Sequence, residues 1–398
     1  MTSTPSPSPR APARRWRNDP RIRAILFQAI ALALVVWLGW TLFDNTLANM
    51  RARGIRTGFG FLDNPAGFGV LFSLIPYDES MSYFRVFLVG LLNTLLVSAI
   101  GIVLATILGF IIGIARLSGN WLVSRLALAY IEVFRNIPLL LQIFFWYFAV
   151  IRSLPGTRQS INMLDLIYLN NRGIFLPAPQ AEPGFGFVTL AFLLAIAASL
   201  GWSAHVRRRQ EHTGRRLPVL WVNMILIIGL PGLAFLALGM PLHWSIPALQ
   251  GFNYSGGMDF IPELGALLVA LTMFTAAFIA EIVRSGIESV NKGQREAASA
   301  LGLRPGRSLR LVIIPQALRV IIPQLTTQYL DLFKNSSLAT AIGYPDLVAV
   351  FMGTTLNQTG RAVEIVAITM GVYLSISLLI SLGMNLYNQG VALRGGRS

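Results

Sequence analysis

The chain has 398 residues and a formal net charge of +15, and 54% of its residues are hydrophobic while only 12% are charged; soluble domains usually carry about 25% charged residues. This composition excludes a soluble globule, a disordered chain and a fibre, and it predicts a protein that crosses a membrane several times. The sequence has no cysteine, which excludes disulfides, cysteine-ligated metals and thiol nucleophiles.

The uncharged stretches of the chain predict its transmembrane helices, because about 20 apolar residues are needed to cross the hydrocarbon core. Two further candidate spans, residues 126–151 and 323–343, contain charged side chains. Together with the uncharged stretches they predict an all-α polytopic membrane protein of about eight transmembrane helices. The uncharged stretches are residues 24–43, 86–115, 187–204, 217–240, 264–280 and 366–388.

The basic residues predict how the chain is oriented. With the amino terminus inside, 22 of the 32 arginine and lysine residues fall on the cytoplasmic side and 8 on the outer side. Because basic loops stay in the cytoplasm, we expect both termini to be cytoplasmic, and the positive charge indicates membrane orientation rather than nucleic-acid binding. The first span is longer than the apolar region of a signal peptide and no small-residue cleavage site follows it closely, so we expect a retained anchor.

The segment 284–322 is predicted to be a cytoplasmic loop that contains a short helix. Residues 294–301 are good helix formers, Gly302 stands where a glycine ends a helix, and Pro305 followed by Gly306 favours a turn. A small-residue face on this helix would allow close approach of another protein, and it is formed by Ala297, Ala298 and Ala300. The pattern favours either a helix lying in a groove of a partner protein or an interfacial loop helix without a partner.

The spacing of residues in this loop is specific. Glu296-Ala297-Ala298 is followed by Gly302 and then by Val312-x-Ile314-Pro315. This pattern resembles the EAA loop of ABC-importer permeases, which more often has isoleucine and leucine at the positions of Val312 and Ile314. Further segments narrow the resemblance to the polar-amino-acid branch: residues 135–142, 286–294, 315–319 and 333–338. The additional first span, the Arg-Asn-Ile-Pro variant at residues 135–138 and the inserted hairpin look most like a permease subunit of the general L-amino-acid (Aap/Bzt-type) transporters.

The resemblance implies a fold and a division of the chain. The fold is an ABC type I importer permease (MetI-like) core with an extra N-terminal helix and an inserted helical hairpin. The implied parts are a basic cytoplasmic tail (1–23), the extra transmembrane helix (24–43), a periplasmic segment (44–85), the first part of the permease core (86–151), an insertion with two extra transmembrane helices (152–262), the second part of the core (263–389) and a cytoplasmic tail (390–398).

The same resemblance implies a non-catalytic permease subunit of the cytoplasmic (inner) membrane that moves L-amino acids from periplasm to cytoplasm. Its partners would be a second permease subunit, two ATP-binding ATPase subunits, a periplasmic amino-acid-binding protein and the lipid bilayer, with no nucleic acid and no cofactor. The alternative is an ion-gradient-driven secondary transporter of polar small molecules. Coupling to the ATPases is implied for the 293–315 loop, at Gly293, Glu296, Ala297, Ala298, Gly302 and Pro315.

Two charges stand near the middle of the predicted span 323–343. A lone charge at that depth costs about 2.5 kcal/mol or more, and the spacing of three between Asp331 and Lys334 puts both on one helix face. The sequence favours either an internal ion pair or a substrate pathway, in which Lys334 meets a substrate carboxylate. The pathway residues would be Asp331, Lys334, Asn335 and Ser336.

Other polar residues within the spans have a structural interpretation. Glu132 and Arg135 have the same spacing of three, and we expect a structural intramembrane ion pair there, with Pro138 bending the helix beyond it. Asn93 and Thr94 either line a path or form hydrogen bonds between helices, and the second interpretation is preferred.

Several kinds of chemistry are not indicated by the sequence. It lacks the Gly-x-x-x-x-Gly-Lys pattern of a phosphate-binding loop. All three histidines fall outside the predicted spans, and no His-Glu-x-x-His or comparable metal-binding pattern occurs. We therefore expect no catalytic, cofactor-binding or metal site in this chain.

Overall fold

The computed structural model describes residues 20–52, 54, 58–213 and 218–393. Among these residues, seven helices are long and apolar enough to cross a membrane, or eight if one bent helix pair is counted as a single span. The prediction of a mainly helical membrane protein with about eight transmembrane helices is confirmed. Most of the two predicted tails, residues 1–19 and 394–398, lies outside the described residues.

The first half of the chain begins with a helix whose described side chains are largely exposed. On α1 (Pro20–Ala52), Trp37 is 63% exposed and Trp40 is 69% exposed, as expected for a helix surrounded by lipid. The next elements are a 3₁₀ turn (Phe59–Asp63), α2 (Tyr83–Arg116), α3 (Trp121–Asn136), α4 (Leu139–Phe144), a π-helical continuation of α4 (Phe145–Ile151) and a second 3₁₀ turn (Thr157–Gln159).

A proline breaks the predicted span 126–151. The helices on either side of the break are bent by 104°, because Pro138 holds the preceding residue out of the helical conformation; Ile137 is extended, with φ −93° and ψ 126°. The side-chain amide of Gln142 donates to the carbonyl oxygens of Phe134 and Ile137, both at 2.9 Å. The predicted bend is present, and the span is broken rather than gently kinked.

The predicted insertion contains helices and short strands. Its helical hairpin consists of α5 (Phe185–Thr213), α6 (Val219–Met224) and α7 (Leu230–Ala237), and a π-helical stretch (Ile225–Gly229) joins the last two. The strands were not expected from the sequence. They are β1 (Ile161–Met163), β2 (Ile167–Asn170), β3 (Gly173–Leu176), β4 (Ala178–Ala181), β5 (Leu242–Ser245), β6 (Ala248–Gln250), β7 (Asn253–Ser255) and β8 (Met258–Phe260).

The strands tie the two flanks of the hairpin together. One sheet has four antiparallel strands in the order β1-β2-β3-β8, and two further sheets pair β4 with β5 and β6 with β7. Because β3 precedes the helical hairpin and β8 follows it, this pairing closes the insertion at its base. Strands of three or four residues are too short to give a clear alternating pattern, which explains why they were missed.

The second half of the chain carries the predicted loop and the last spans. The long helix of the seventh span starts before residue 323, the predicted start, and Pro323 lies inside it. Its elements are α8 (Pro262–Glu288), α9 (Lys292–Ala300), α10 (Pro305–Ser308), a π-helical stretch (Leu309–Ile313), α11 (Ile314–Asn335), a 3₁₀ stretch (Ser336–Ile342), a second π-helical stretch (Val348–Thr355), α12 (Leu356–Thr359) and α13 (Ala362–Leu393).

Glycines in α2 allow α8 to pack closely against it. A Cβ atom added at Gly113 would lie 2.7 Å from the carbonyl oxygen of Ala280 and 2.8 Å from Cβ of Val283. One added at Gly109 would lie 2.6 Å from Cβ of Ile279. Small residues spaced by four let two membrane helices approach with their backbones in contact, so these glycines fix the position of α8, which carries part of the site described next.

Candidate functional site

The loop helix α9 is defined at both ends by local hydrogen bonds. The side chain of Asn291 accepts a bond of 2.8 Å from the Gly293 N–H at the start of the helix. At its end Gly302 has φ +71°, its N–H donates to the Ser299 carbonyl at 2.9 Å, and the Leu303 N–H donates to the Ala298 carbonyl at 3.1 Å. This pair of bonds is a Schellman motif, and the predicted short helix ended by Gly302 is confirmed.

The alanines of α9 face in different directions. Ala298 is buried, 3% exposed, whereas Ala297 and Ala300 are exposed. Glu296 is also exposed, and Leu301, just after the helix, is 81% exposed. The helix therefore contacts the rest of the chain through Ala298 and presents a surface of small, acidic and apolar side chains on its other faces.

Contacts attach α9 to the two long helices beside it. The Arg295 guanidinium donates to the Ile287 carbonyl of α8 at 3.1 Å. From α11, the Gln316 amide donates to the Gln294 side-chain oxygen at 3.4 Å. Pro315, another predicted coupling residue, is exposed in the first turn of α11. A displacement of α9 would therefore act on both α8 and α11.

The helices α8 and α11 also contact each other directly. A Cβ atom at Gly286 would overlap Cγ1 of Ile321, so α11 passes close to the α8 backbone at this point. Val290 and Ile313, on either side of α9, are buried in the same apolar cluster as Ile321. The loop and the ends of both helices thus form one packed unit.

One face of α11 is polar over more than two turns. Side chains spaced by three and four residues lie on the same helix face, and here they are Gln324, Thr327, Gln328, Asp331, Lys334 and Asn335. The last three line a cavity of about 340 Å³, called the Lys334 cavity below. Its complete lining is Phe274, Thr275, Phe278, Gln328, Asp331, Lys334 and Asn335.

The structure separates the predicted pathway residues. Asp331, Lys334 and Asn335 lie together in the Lys334 cavity, and among the described residues the ion pairs involve Arg284 with Glu281 and Glu288 rather than Asp331 with Lys334. Ser336 does not line this cavity, because it is fully buried and its hydroxyl donates to the Phe333 carbonyl at 2.7 Å. The structure thus places Ser336 apart from the other three predicted pathway residues.

A second cavity, also of about 340 Å³, lies next to the first and is called the Arg135 cavity below. It shares Phe278 and Gln328 with the Lys334 cavity. Its complete lining is Arg135, Phe278, Glu281, Ile282, Ser285, Gln324, Thr327 and Gln328. The two cavities together follow the polar face of α11.

The predicted ion pair between Glu132 and Arg135 is not formed. Glu132 instead accepts a hydrogen bond of 3.2 Å from the Asn136 side chain, and the Arg135 guanidinium lies 5.1 Å from the centre of the Phe278 ring. The reason is that α3 ends at Asn136, whose side chain stands one turn beyond Glu132, while Arg135 points towards α8. Sequence spacing alone could not distinguish these two partners.

Comparisons with known proteins identify the family. Residues 212–392 match the family described as binding-protein-dependent transport system inner membrane component. The chain is 57% identical over 376 residues to the putative amino-acid ABC transporter permease protein YhdX of Escherichia coli, covering 94% of this chain and 95% of that protein. The chain belongs to this family. It is thus an inner membrane component of the binding-protein-dependent type, as the loop motif predicted.

Further relatives agree with this family. The chain is 50% identical to the general L-amino acid transport system permease protein AapQ of Rhizobium johnstonii, with 94% of both chains covered. It is 44% identical to the glutamate/glutamine/aspartate/asparagine transport system permease protein BztB of Rhodobacter capsulatus, and the match covers 94% of this chain and 95% of that protein. A solved structure titled as an amino acid ABC transporter with histidines has a TM-score of 0.46 and 21% identity, covering 77% of this chain and 94% of that one.

Proposed function

We propose that this chain is a permease subunit of an ATP-driven importer that moves L-amino acids from the periplasm to the cytoplasm. The observation that carries the proposal is the placement of α9, which is bonded to both α8 and α11 and exposes Glu296 and Leu301 on the surface. The names of the relatives YhdX, AapQ and BztB, all permeases for amino acids, support the substrate class.

The proposed assembly contains other subunits. Two ATPase subunits bind the cytoplasmic surface around α9, a second permease subunit completes the pore, and a periplasmic binding protein delivers the amino acid. Both termini are then cytoplasmic, as the distribution of basic residues predicts. This chain itself hydrolyses no ATP in the proposal, and its coupling residues are Gly293, Glu296, Ala297, Ala298, Gly302 and Pro315.

The proposed substrate pathway follows the polar face of α11. Lys334 offers a cation to the substrate carboxylate, and Asp331, one turn away in the same cavity, offers an anion to the ammonium group. Asn335 adds hydrogen-bonding groups beside them. Among the described residues neither Asp331 nor Lys334 forms an ion pair, and this supports the interpretation, since both charges are then available to bind the two ends of a zwitterion.

Transport in this proposal depends on a two-state movement. Closure of the ATPase subunits displaces α9, and α8 and α11 tilt with it because they are bonded to α9. The cavity then changes from inward-open to outward-open, with the populations of both states set by nucleotide and by the loaded binding protein. The packed contact between Gly286 and Ile321 makes α8 and α11 move as one body.

The proposal is tested with the substitutions Glu296→Lys and Gly302→Ala. Both variants should insert into the membrane at wild-type levels, but they should co-purify with less ATPase and support less ATP-driven uptake. The matched control is Glu79→Gln, at an exposed carboxylate just before the start of α2. This substitution should change neither ATPase co-purification nor ATP-driven uptake. If both loop variants bind ATPase and transport as well as wild type, the coupling role is wrong. Uptake by vesicles on an ion gradient without ATP would favour the secondary-transporter alternative.

A further inference from the structure

The Arg135 cavity contains a cation that forms no direct ion pair with any described acidic side chain. The guanidinium of Arg135 lies over the Phe278 ring, and it takes part in none of the ion pairs among the described residues. Glu281 lines the same cavity, but both of its carboxylate oxygens accept hydrogen bonds from Arg284. Glu281 therefore acts on Arg135 only at a distance, and among the described residues the N–H groups of Arg135 have no direct acidic partner in the cavity.

The geometry of Arg135 suits a carboxylate ligand. A guanidinium stacked on an aromatic ring through one face keeps the N–H groups along its edge free, and this edge matches the two oxygens of a carboxylate. Besides Glu281, which is bonded to Arg284, the polar groups on the cavity wall are hydroxyls and amides, which accept or donate hydrogen bonds without adding charge. They are Ser285, Gln324, Thr327 and Gln328.

Phe278 forms the partition between this cavity and the Lys334 cavity. It lines both, and its ring centre lies 5.1 Å from the Arg135 guanidinium carbon and 5.0 Å from the centre of the Phe274 ring. The Lys334 cavity has its own cation. Two adjoining cavities that share Phe278 and Gln328 thus each contain one cation, Lys334 in one and Arg135 in the other, beside one carboxylate.

We propose that the Arg135 cavity is a second amino-acid-binding site, in which Arg135 binds the substrate carboxylate after the substrate has passed Phe278. This inference rests on the proposed function, since it takes an α-amino acid as the transported molecule. The site lies nearer to α9 than the Lys334 cavity does, because Gln324 and Ser285 lie closer along α11 and α8 to the loop. Amino acid that accumulates on that side binds there and slows further uptake.

The test uses the assembled transporter in proteoliposomes with its binding protein and ATP. Uptake of labelled L-glutamine is measured while unlabelled L-glutamine is added on the ATPase side, and the concentration that halves uptake is determined. We expect this concentration to rise at least tenfold in Arg135→Gln and about threefold in Arg135→Lys, since lysine keeps the charge but lacks the planar fork. L-Glutaminamide, in which an amide replaces the α-carboxylate, should not inhibit the wild type.

The matched control is Glu132→Gln on the same helix, because Glu132 bonds to Asn136 and does not line the cavity. Its uptake should be halved at the same L-glutamine concentration as that of wild type. The inference is overturned if the same L-glutamine concentration halves uptake by Arg135→Gln and by wild type. It is also overturned if L-glutaminamide inhibits wild-type uptake as strongly as L-glutamine does, or if L-glutamine on the ATPase side does not inhibit wild-type uptake. If Arg135→Gln does not insert, Arg135→Lys gives the answer, and an unchanged value there also overturns it. Absence of ATP-driven uptake in wild type would instead reject the proposed function.

Discussion

The hydroxyl oxygen of Thr94 accepts a hydrogen bond of 3.0 Å from the backbone N–H of Leu347, a residue 253 positions away. The neighbouring Asn93 side chain donates to the Pro345 carbonyl at 2.9 Å and to the Phe72 carbonyl at 2.8 Å. Both side chains are buried in the middle of α2. They therefore hold the segment after the 3₁₀ stretch against α2. The predicted hydrogen-bonding role is present, but the partners Phe72 and Pro345 lie in loops rather than in a second helix.

Replacing Thr94 by valine should destabilise the protein. Valine has nearly the shape of threonine but leaves the buried Leu347 N–H without its acceptor, which costs about 1–3 kcal/mol. We expect a lower melting temperature in detergent. The control is Ser375→Ala, because Ser375 is exposed and its hydroxyl bonds only to a carbonyl of its own helix; its melting temperature should not change. Equal melting temperatures for Thr94→Val and wild type would contradict this role.

A methyl group at Gly113 should disrupt the packing of α2 on α8. In Gly113→Ala the new Cβ meets the Ala280 carbonyl oxygen at 2.7 Å, and backbone cannot move aside as a flexible side chain can, so we expect a loss of about 1–3 kcal/mol. Gly383→Ala on α13 is the control, because nothing lies within 4 Å of its added Cβ. Thermal unfolding in detergent measures both, and a neutral Gly113→Ala would show that the two helices can separate at little cost.

The end of α9 should loosen when Gly302 is replaced. Its φ of +71° is strained by about 1 kcal/mol or more for alanine, and less for asparagine, which tolerates this conformation. Hydrogen exchange at Gly302 and Leu303 should be faster in Gly302→Ala than in Gly302→Asn, and slowest in wild type. Gly306→Ala is the control, since its added Cβ meets nothing within 4 Å and its φ is not positive. Unchanged exchange in Gly302→Ala would mean that another residue fixes this helix end.

The carboxyl group of Asp346, between the last two spans, should make stability depend on pH. It is fully buried, and burial raises its pKa from 3.8 to about 7. Oδ1 accepts a bond of 2.8 Å from the Ala349 N–H and Oδ2 has no partner, which fits a protonated group. Between about pH 4 and 7 the folded protein holds a proton that the unfolded chain releases, so each pH unit upward lowers stability by about 1.4 kcal/mol.

This stabilising effect is complete below about pH 4 and lost above about pH 7. The side chain introduced by Asp346→Asn cannot ionise. The melting temperature of this variant should therefore change less between pH 5 and pH 8 than that of wild type, and it should be higher than that of wild type at pH 8. Asp63→Asn, at an exposed position, should keep the wild-type profile. A parallel profile for Asp346→Asn and wild type would rule out Asp346 as the titrating group.

The features that depend on neighbours in sequence were predictable. The apolar stretches specified the membrane helices because the bilayer requires a fixed length of apolar residues. The helix formers up to Gly302 specified α9, and Pro138 specified the break after α3, because proline restricts the residue before it. The family followed from the spacing between Glu296 and Pro315. The polar face of α11 was predicted only at Asp331, Lys334 and Asn335. Gln324 and Gln328 also belong to it, because they precede Asp331 at spacings of three and four residues that place all of them on one helix face.

Partners distant in sequence were decided only by the tertiary structure. Spacing allowed Glu132 to bind Arg135, but the packing of α3 on α8 placed Phe278 beside the guanidinium instead. Ser336 is in the right stretch of sequence for the cavity, yet the 3₁₀ stretch turns it inward. Likewise β3 and β8 pair across the whole helical hairpin. A helix or a break is specified by the local backbone, whereas the partner of each polar side chain is specified by which helices pack together, and this depends on the shape of the entire chain.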